Sequence, residues 1–392
     1  MMMASENNSK LTNSSLRASN RKRVFDLLFD AGELTQAEIK ERTGLSGPTV
    51  TQSLYFFKDR KLFTEGEVQA SSGGRKAHAI AFDYQAFYAV GVEIRVHHVD
   101  IRIIDLKGKL HSSKVYRLVF ANNGKYWDEV NRLVTSQINS EEKFQRILGV
   151  GIAFPGEINM AGDYVTRATV LGVRNLSIKE IQSHFAYPVY MNYGADAAGF
   201  GTVWRSKHIR DAVYIVVTDN GIAGSVIINN QLYHGAGGKA GAFGHIVLEP
   251  KGKPCFCGGR GCWSAYCSIN SLIGEEDGDL LAFFNAVESG DEKANQQLDD
   301  YLVRFAQGIA NVLLSFDADI IIGGKLVPYF SNYLPRLTEL VSAYPSLGED
   351  KVDIRLDLSS SSPMAEGAAL QLVSRFLNDE LDGYHFEELE TE

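Results

Sequence analysis

The chain has 392 residues, only four of them cysteine, and a formal net charge of −9 at neutral pH. So few thiols exclude a disulfide-built scaffold and suit a reducing, cytoplasmic compartment, and the negative balance argues against a surface that binds nucleic acid throughout. No eighteen apolar residues follow one another, and Met1-Met2-Met3 leads into Ser, Asn and Lys, so neither a membrane span nor a signal peptide is expected.

Charge is unevenly spread. Residues 10–80 hold twelve Lys or Arg against eight Asp or Glu, whereas seven acids and no Lys or Arg follow Arg375. The division expected is a disordered start (1–18), a basic DNA-binding module (19–82), two α/β halves (83–200 and 201–378) and an acidic, solvated tail (379–392).

In the basic module, Val24, Leu27 and Leu28 stand at helical spacing within Asn20–Asp30, and Ala31-Gly32 ends that helix. Thr35-Gln36-Ala37-Glu38 has the pattern of a capping box for a second helix running to Thr43. After the turn Gly44-Leu45, Ser46 caps a third helix opening at Pro48, with Val50, Leu54 and Phe57 on one face. Helix, glycine turn and helix is the helix-turn-helix plan. Thr49, Thr51, Gln52 and Ser53 carry short hydrogen-bonding side chains suited to base edges in a major groove. Two wing strands are predicted at Leu62–Thr64 and Ala77–Ile80. The glycine-bearing loop between them offers Arg75 and Lys76 to phosphates or a minor groove. A three-helix module that binds another protein has the same pattern.

Beyond Tyr84 the texture changes to apolar strands and amphipathic helices. Strands are predicted at Tyr88–Ile94, Val99–Ile104 and Ile147–Ile152, with a helix at Tyr126–Ile138, and the pattern restarts at Ala212–Val217 and Ser225–Ile228. Two related α/β halves with a cleft between them are implied. In the second half, His245, Cys255, Cys257 and Cys262 fall within one glycine-rich stretch, the ligand set of a closed tetrahedral Zn²⁺ site. Cys267 is read as a small core residue.

Four segments together resemble the ROK family of repressors and sugar kinases: Gly241–His245, Cys255–Cys262, Phe154-Pro155-Gly156 and Leu171–Leu176. The resemblance spans about residues 20–375. It implies an actin/hexokinase-like (ribonuclease H-like) α/β body behind a winged helix-turn-helix of the repressor branch. The family's kinases carry an Asp, two glycines and a Thr in the first phosphate loop, where this chain has Glu93-Ile94-Arg95-Val96-His97. Their glycine-rich second loop is here Asp219–Ser225, with an acid where phosphate would sit. Their catalytic Asp falls on Gly194, and two pocket glutamates fall on Ala242 and Ser264. With three carboxylates gone, the implied function is transcriptional regulation of carbohydrate genes, most simply repression, by a homodimer or homotetramer on an inverted-repeat operator in duplex DNA. The effector is expected to be anionic, such as a sugar phosphate, or less hydroxylated than glucose, with Arg174, Tyr193 and His245 around it. An active sugar kinase carrying a regulatory head is the alternative.

Overall fold

The computed structural model describes residues 13–68, 78–159, 161–206, 209–274, 279–348 and 352–380. Two compact units emerge, a head reaching Phe87 and a body from Tyr88 to Arg375; Asp105–Lys107 and Phe376–Glu380 group with the head. Phe376 packs there on Phe87, ring centroids 4.8 Å apart, so the segment expected to close the second half belongs to the head instead.

The head opens with helix α1 (Asn13–Ala31), which starts earlier than predicted because nothing between Asn13 and Asn20 breaks a helix. Gly32, at φ +80°, donates its N–H to the Leu28 carbonyl and stops it. A short strand, β1 (Glu33–Thr35), precedes α2 (Gln36–Thr43). The capping box is present: Thr35 Oγ1 accepts from Glu38 N, and the Glu38 carboxylate accepts from Thr35 N at 2.8 Å. Ser46 caps α3 (Gly47–Asp59) through Thr49 N. Strands β2 (Phe63–Val68) and β3 (His78–Phe82) form the wing, and β1 pairs with β3 to complete a sheet of order β1-β3-β2. Phe25 holds the module together, its ring 5.2 Å from those of both Phe57 and Phe82. Each such buried aromatic contributes about 1.5–3 kcal/mol over an exposed one.

The body repeats one plan. Its first half contains β4 (Tyr88–Ile94), β5 (His98–Asp105), β6 (Leu110–Arg117), α4 (Gly124–Ile138) and β7 (Ile147–Phe154). A small hairpin sheet of β8 (Glu157–Ile158), β9 (Tyr164–Ala168) and β10 (Val173–Ser177) follows, then α5 (Ile178–Gln182) and β11 (Val189–Tyr193). The main sheet runs β11-β7-β4-β5-β6, with β11, β7 and β4 parallel and β5 and β6 antiparallel. Every residue of β4 and β7 is buried, as in parallel strands covered on both faces.

Helix α6 (Gly194–Arg205) leads to the second half, which begins with β12 (Ala212–Val217), β13 (Ile222–Ile228) and β14 (Gln231–Tyr233). Helices α7 (Ser264–Cys267), α8 (Ile269–Ile273), α9 (Leu280–Glu288) and α10 (Glu292–Phe316) come next. The half finishes with β15 (Asp319–Gly324), α11 (Val327–Phe330), α12 (Leu334–Ser342), β16 (Ile354–Leu356) and α13 (Pro363–Arg375). Its sheet, β14-β13-β12-β15-β16, again joins an antiparallel hairpin to parallel strands.

The chain then returns to its first half. A Cβ on Gly91 of β4 would lie 1.9 Å from the Ala365 carbonyl oxygen, and one on Gly151 of β7 would lie 2.3 Å from that of Ala368. These glycines let α13 sit directly on the first sheet. The division expected at residue 200 falls inside α6.

Candidate functional site

In the head, α3 presents fewer hydrogen-bonding side chains than the sequence suggests. Ser53 is 2% exposed, on the face shared by Val50 and Phe57, and its hydroxyl donates to the Thr49 carbonyl at 2.9 Å. That placement removes it from the base-contacting set. Thr51 donates to the Gly47 carbonyl and accepts from Gln36 Nε2 at 2.6 Å, while the Thr49 hydroxyl lies 2.8 Å from that of the cap residue Ser46. Gln52 is exposed, and one helical turn on, Tyr55 is 69% exposed. The sequence reading passed over Tyr55, although its i+3 spacing from Gln52 marks it. Arg75 and Lys76 lie outside the described residues.

The four ligand atoms of His245, Cys255, Cys257 and Cys262 lie within 4.8 Å of one another. Cys257 and Cys262 sulfurs are 3.8 Å apart, and Cys255 Sγ is 3.8 Å from His245 Nδ1. A tetrahedron with metal–sulfur bonds of about 2.3 Å has edges of about 3.8 Å, so the cluster fits such an ion. Backbone geometry makes the approach possible. Cys255 N donates to the Gly259 carbonyl and Gly258 N to that of Cys255, both at 2.9 Å, with Gly258 at φ +91°. At Gly261, φ +77°, a Cβ would come 1.7 Å from the Glu249 carbonyl oxygen. Burial pushes the Cys262 thiol up to about 12 and raises Cys255. At Cys257 burial is outweighed by hydrogen bonds, the Gly259 N–H foremost, and the thiol falls below its ordinary value. Cys267 is fully buried and apart from the cluster, as a core thiol.

Between the halves of the body lies a cavity of about 670 Å³, and Tyr193 and His245 both line it. Arg174 does not: it is exposed on β10, and its cross-strand partner Arg167 takes the position in the cavity wall. Arg167 donates to Glu157 at 2.7 Å. Gly194 opens α6 into the cavity, where a Cβ would meet Met364 Sδ at 3.0 Å. Ser264, 1% exposed, accepts from Ile222 N at 3.0 Å, so its hydroxyl is spent on the backbone of β13. Burial pushes the Tyr193 phenol up, and Asp196 adds to the shift.

Deeper in the cleft, Arg95 donates to Glu93 through two nitrogens, at 2.6 and 2.9 Å, and Ser362 Oγ donates to the same carboxylate at 3.0 Å. Burial would raise the Glu93 carboxyl, but Arg95 overrides it and holds the group below its ordinary value. Across from it, Lys325 donates to both oxygens of Asp219 at 2.9 and 3.0 Å.

The ROK family model matches residues 89–372, which takes in both sheets, the cleft and the four-ligand cluster. The chain belongs to the ROK family. Among its relatives, the xylose repressor of Bacillus subtilis (strain 168) is 26% identical over 375 residues, 92% of this chain and 96% of that protein. Among solved structures, a ROK family transcriptional regulator described as a homologue of the Escherichia coli Mlc protein superposes with a TM-score of 0.74 at 19% identity, covering 92% of this chain and 98% of the other. A ROK glucokinase from Streptomyces griseus, in complex with glucose and AMPPNP, gives 0.63 at 21% identity, covering 72% and 98%. The regulator therefore shares the fold nearly end to end, whereas the glucokinase matches a smaller share of the chain. No described helix is long and apolar enough to cross a membrane.

Proposed function

We propose that this chain is a cytoplasmic, DNA-binding transcriptional regulator of carbohydrate genes, controlled by a sugar or sugar derivative in the cleft. The observation that carries this is the pair of ion pairs at the family's phosphate loops. Arg95 bound to Glu93, and Lys325 bound to Asp219, place side chains and internal charge where backbone N–H groups would have to cradle a nucleotide. Gly194 supplies no carboxylate to take the proton from a sugar hydroxyl, a loss that alone costs on the order of 10²–10⁴ in rate. The relatives named as repressors and the near full-length match to a ROK regulator support the same reading.

In this mechanism Gln52 and Tyr55 on α3 face the operator, with Thr49 and Thr51 at its edge and the wing, including Arg75 and Lys76, as a second contact. A homodimer or homotetramer presents two heads to an inverted repeat whose half-sites lie roughly 34 Å apart. His245 and the three cysteines hold Zn²⁺, which supplies a rigid cross-link rather than chemistry, fixing the loop that forms one wall of the cleft beside Tyr193 and Arg167. The effector changes operator affinity only as far as it distinguishes two states of the body, typically about 1–3 kcal/mol. A genome-wide footprint of the protein tests the reading. Clustered sites beside sugar-utilisation genes are expected, and a protein recovered without DNA enrichment contradicts it.

A further inference from the structure

Gln52 and Phe56 of α3 and its C-cap residue Arg60 stand four residues apart, so they form one row along the helix, with the exposed Tyr55 beside it. The Arg60 guanidinium lies 3.6 Å from the centroid of the Phe56 ring, and its Nη1 donates to the Phe56 carbonyl at 3.1 Å. A second cation reaches the same ring from α1: the Arg21 guanidinium lies 4.3 Å from that centroid. Neighbouring cations are engaged otherwise, Lys58 with Glu65 at 3.2 Å, Lys22 with Asp26 and Arg23 with the Thr43 carbonyl.

The row is as long as a major groove is wide. At about 1.5 Å per residue Arg60 stands about 12 Å along the axis from Gln52, and the major groove of B-DNA is about 12 Å across. A helix with Gln52 at the base edges therefore carries Arg60 out to the backbone, as the C-terminal end of a homeodomain recognition helix does. Stacking positions each guanidinium by its flat face and leaves N–H groups at its edge for phosphate oxygens. An anion between two like charges on one ring also relieves their repulsion.

Resting on the regulator reading above, we propose that Arg21 and Arg60 form a clamp for the phosphodiester backbone of duplex DNA, with Phe56 as the plate that positions both guanidinium groups. The clamp grips backbone and carries no sequence preference, so it adds affinity to the base reading done by Gln52 and Tyr55. Phe56 is a positioning residue and touches no phosphate itself.

Fluorescence anisotropy of the full-length protein tests this on two duplexes, one carrying the inverted repeat nearest the protein's own gene and one with that sequence scrambled, each titrated across salt concentrations. Removing one phosphate contact lowers the slope of log affinity against log salt by about 0.9. Arg21→Gln combined with Arg60→Gln should therefore lose about 1.8 of slope per bound head and weaken on both duplexes alike. Arg21→Lys combined with Arg60→Lys keeps the charges and should hold the parent's slope, and Phe56→Leu should hold the slope while weakening both duplexes several-fold. If the Gln variant melts early, the Lys and Leu variants still decide. A Gln variant with the parent's slope, or a Lys variant as weak as the Gln one, would mean that the arginines only pin α1 to α3 and would overturn the clamp. Phe56→Leu binding as tightly as the parent would overturn the role given to the ring. A parent protein with no salt-dependent affinity for either duplex would overturn the regulator reading along with this proposal, whereas the preceding outcomes leave that reading intact.

Discussion

Replacing Arg95 by Ala isolates the interaction that closes the first phosphate loop. The Glu93 side chain is 9% exposed and that of Arg95 22%, and among the described residues their two-point contact is joined at the carboxylate by the Ser362 hydroxyl. Deleting one partner of such a pair typically costs about 3–5 kcal/mol because a buried charge is stranded. Partial exposure of Arg95 and the remaining Ser362 bond place this case near the lower end, about 3 kcal/mol. For a body of this size that corresponds to a fall in Tm of roughly 5 °C. The pH dependence should also change sign. In the native protein the Glu93 carboxyl lies below its unfolded value, so it stabilises the fold above the unfolded pKa and loses that effect as pH falls. Without Arg95, burial dominates and the carboxyl rises, so its contribution is intact below the unfolded pKa of about 4.3 and is lost as pH increases. Melting followed by circular dichroism at pH 5 and pH 7.5 is expected to show the larger deficit at pH 7.5. The double variant Glu93→Gln with Arg95→Met, which strands no charge, should recover most of the loss. An Arg95→Ala protein that melts within about 2 °C of the parent at both pH values, or whose deficit shrinks as pH rises, refutes the reasoning.

Other perturbations read the head, the cluster and the cleft. Gln52→Ala should weaken specific operator binding by about 1–3 kcal/mol, whereas Ser53→Ala should leave it within about twofold, because that hydroxyl serves the helix backbone; gel-shift titration separates the two. Thr35→Ala removes the hydroxyl that accepts from Glu38 N but leaves the backbone N–H of residue 35 donating to the Glu38 carboxylate, and should cost the head about 1 kcal/mol in a denaturant melt. Elemental analysis should find about one zinc per chain, lost in Cys262→Ser together with a lower Tm; a metal-free protein of unchanged stability would contradict the cluster's assignment. Gly194→Asp restores the carboxylate of the kinases but leaves Arg95 and Asp219 in place, so coupled ADP release should stay at background.

Features governed by short-range rules were legible in the sequence. The capping box at Thr35 and Glu38, the Ser46 cap and the strands β4, β5, β7, β12 and β13 follow from residue type and spacing, and the ligand cluster from a span of eighteen residues. Ser53 was misplaced although the rule that buries it is equally local. It stands three residues after Val50 and four before Phe57, on the apolar face, and only its hydroxyl suggested otherwise. That Arg167 and not Arg174 lines the cavity was hidden for a different reason. They are cross-strand partners in a three-stranded hairpin sheet, and which of them reaches the cleft depends on how that sheet is placed on the body. The Lys325–Asp219 pair joins residues 106 apart, and α13 returns to the first sheet through glycines at 91 and 151; long-range contacts of this kind leave no periodic signal.

The central claim is that sugar binding controls DNA rather than drives phosphotransfer. It is tested most directly by fluorescence anisotropy of a labelled duplex carrying the inverted repeat nearest the protein's own gene, titrated across salt concentrations with and without a panel of sugars, with ADP release followed in the same samples. Affinity is expected to fall linearly with the logarithm of salt concentration, to shift about 5–150-fold with one sugar derivative, and to be accompanied by no ADP. Sugar-dependent ADP release, or a duplex held no better than random DNA, would contradict it.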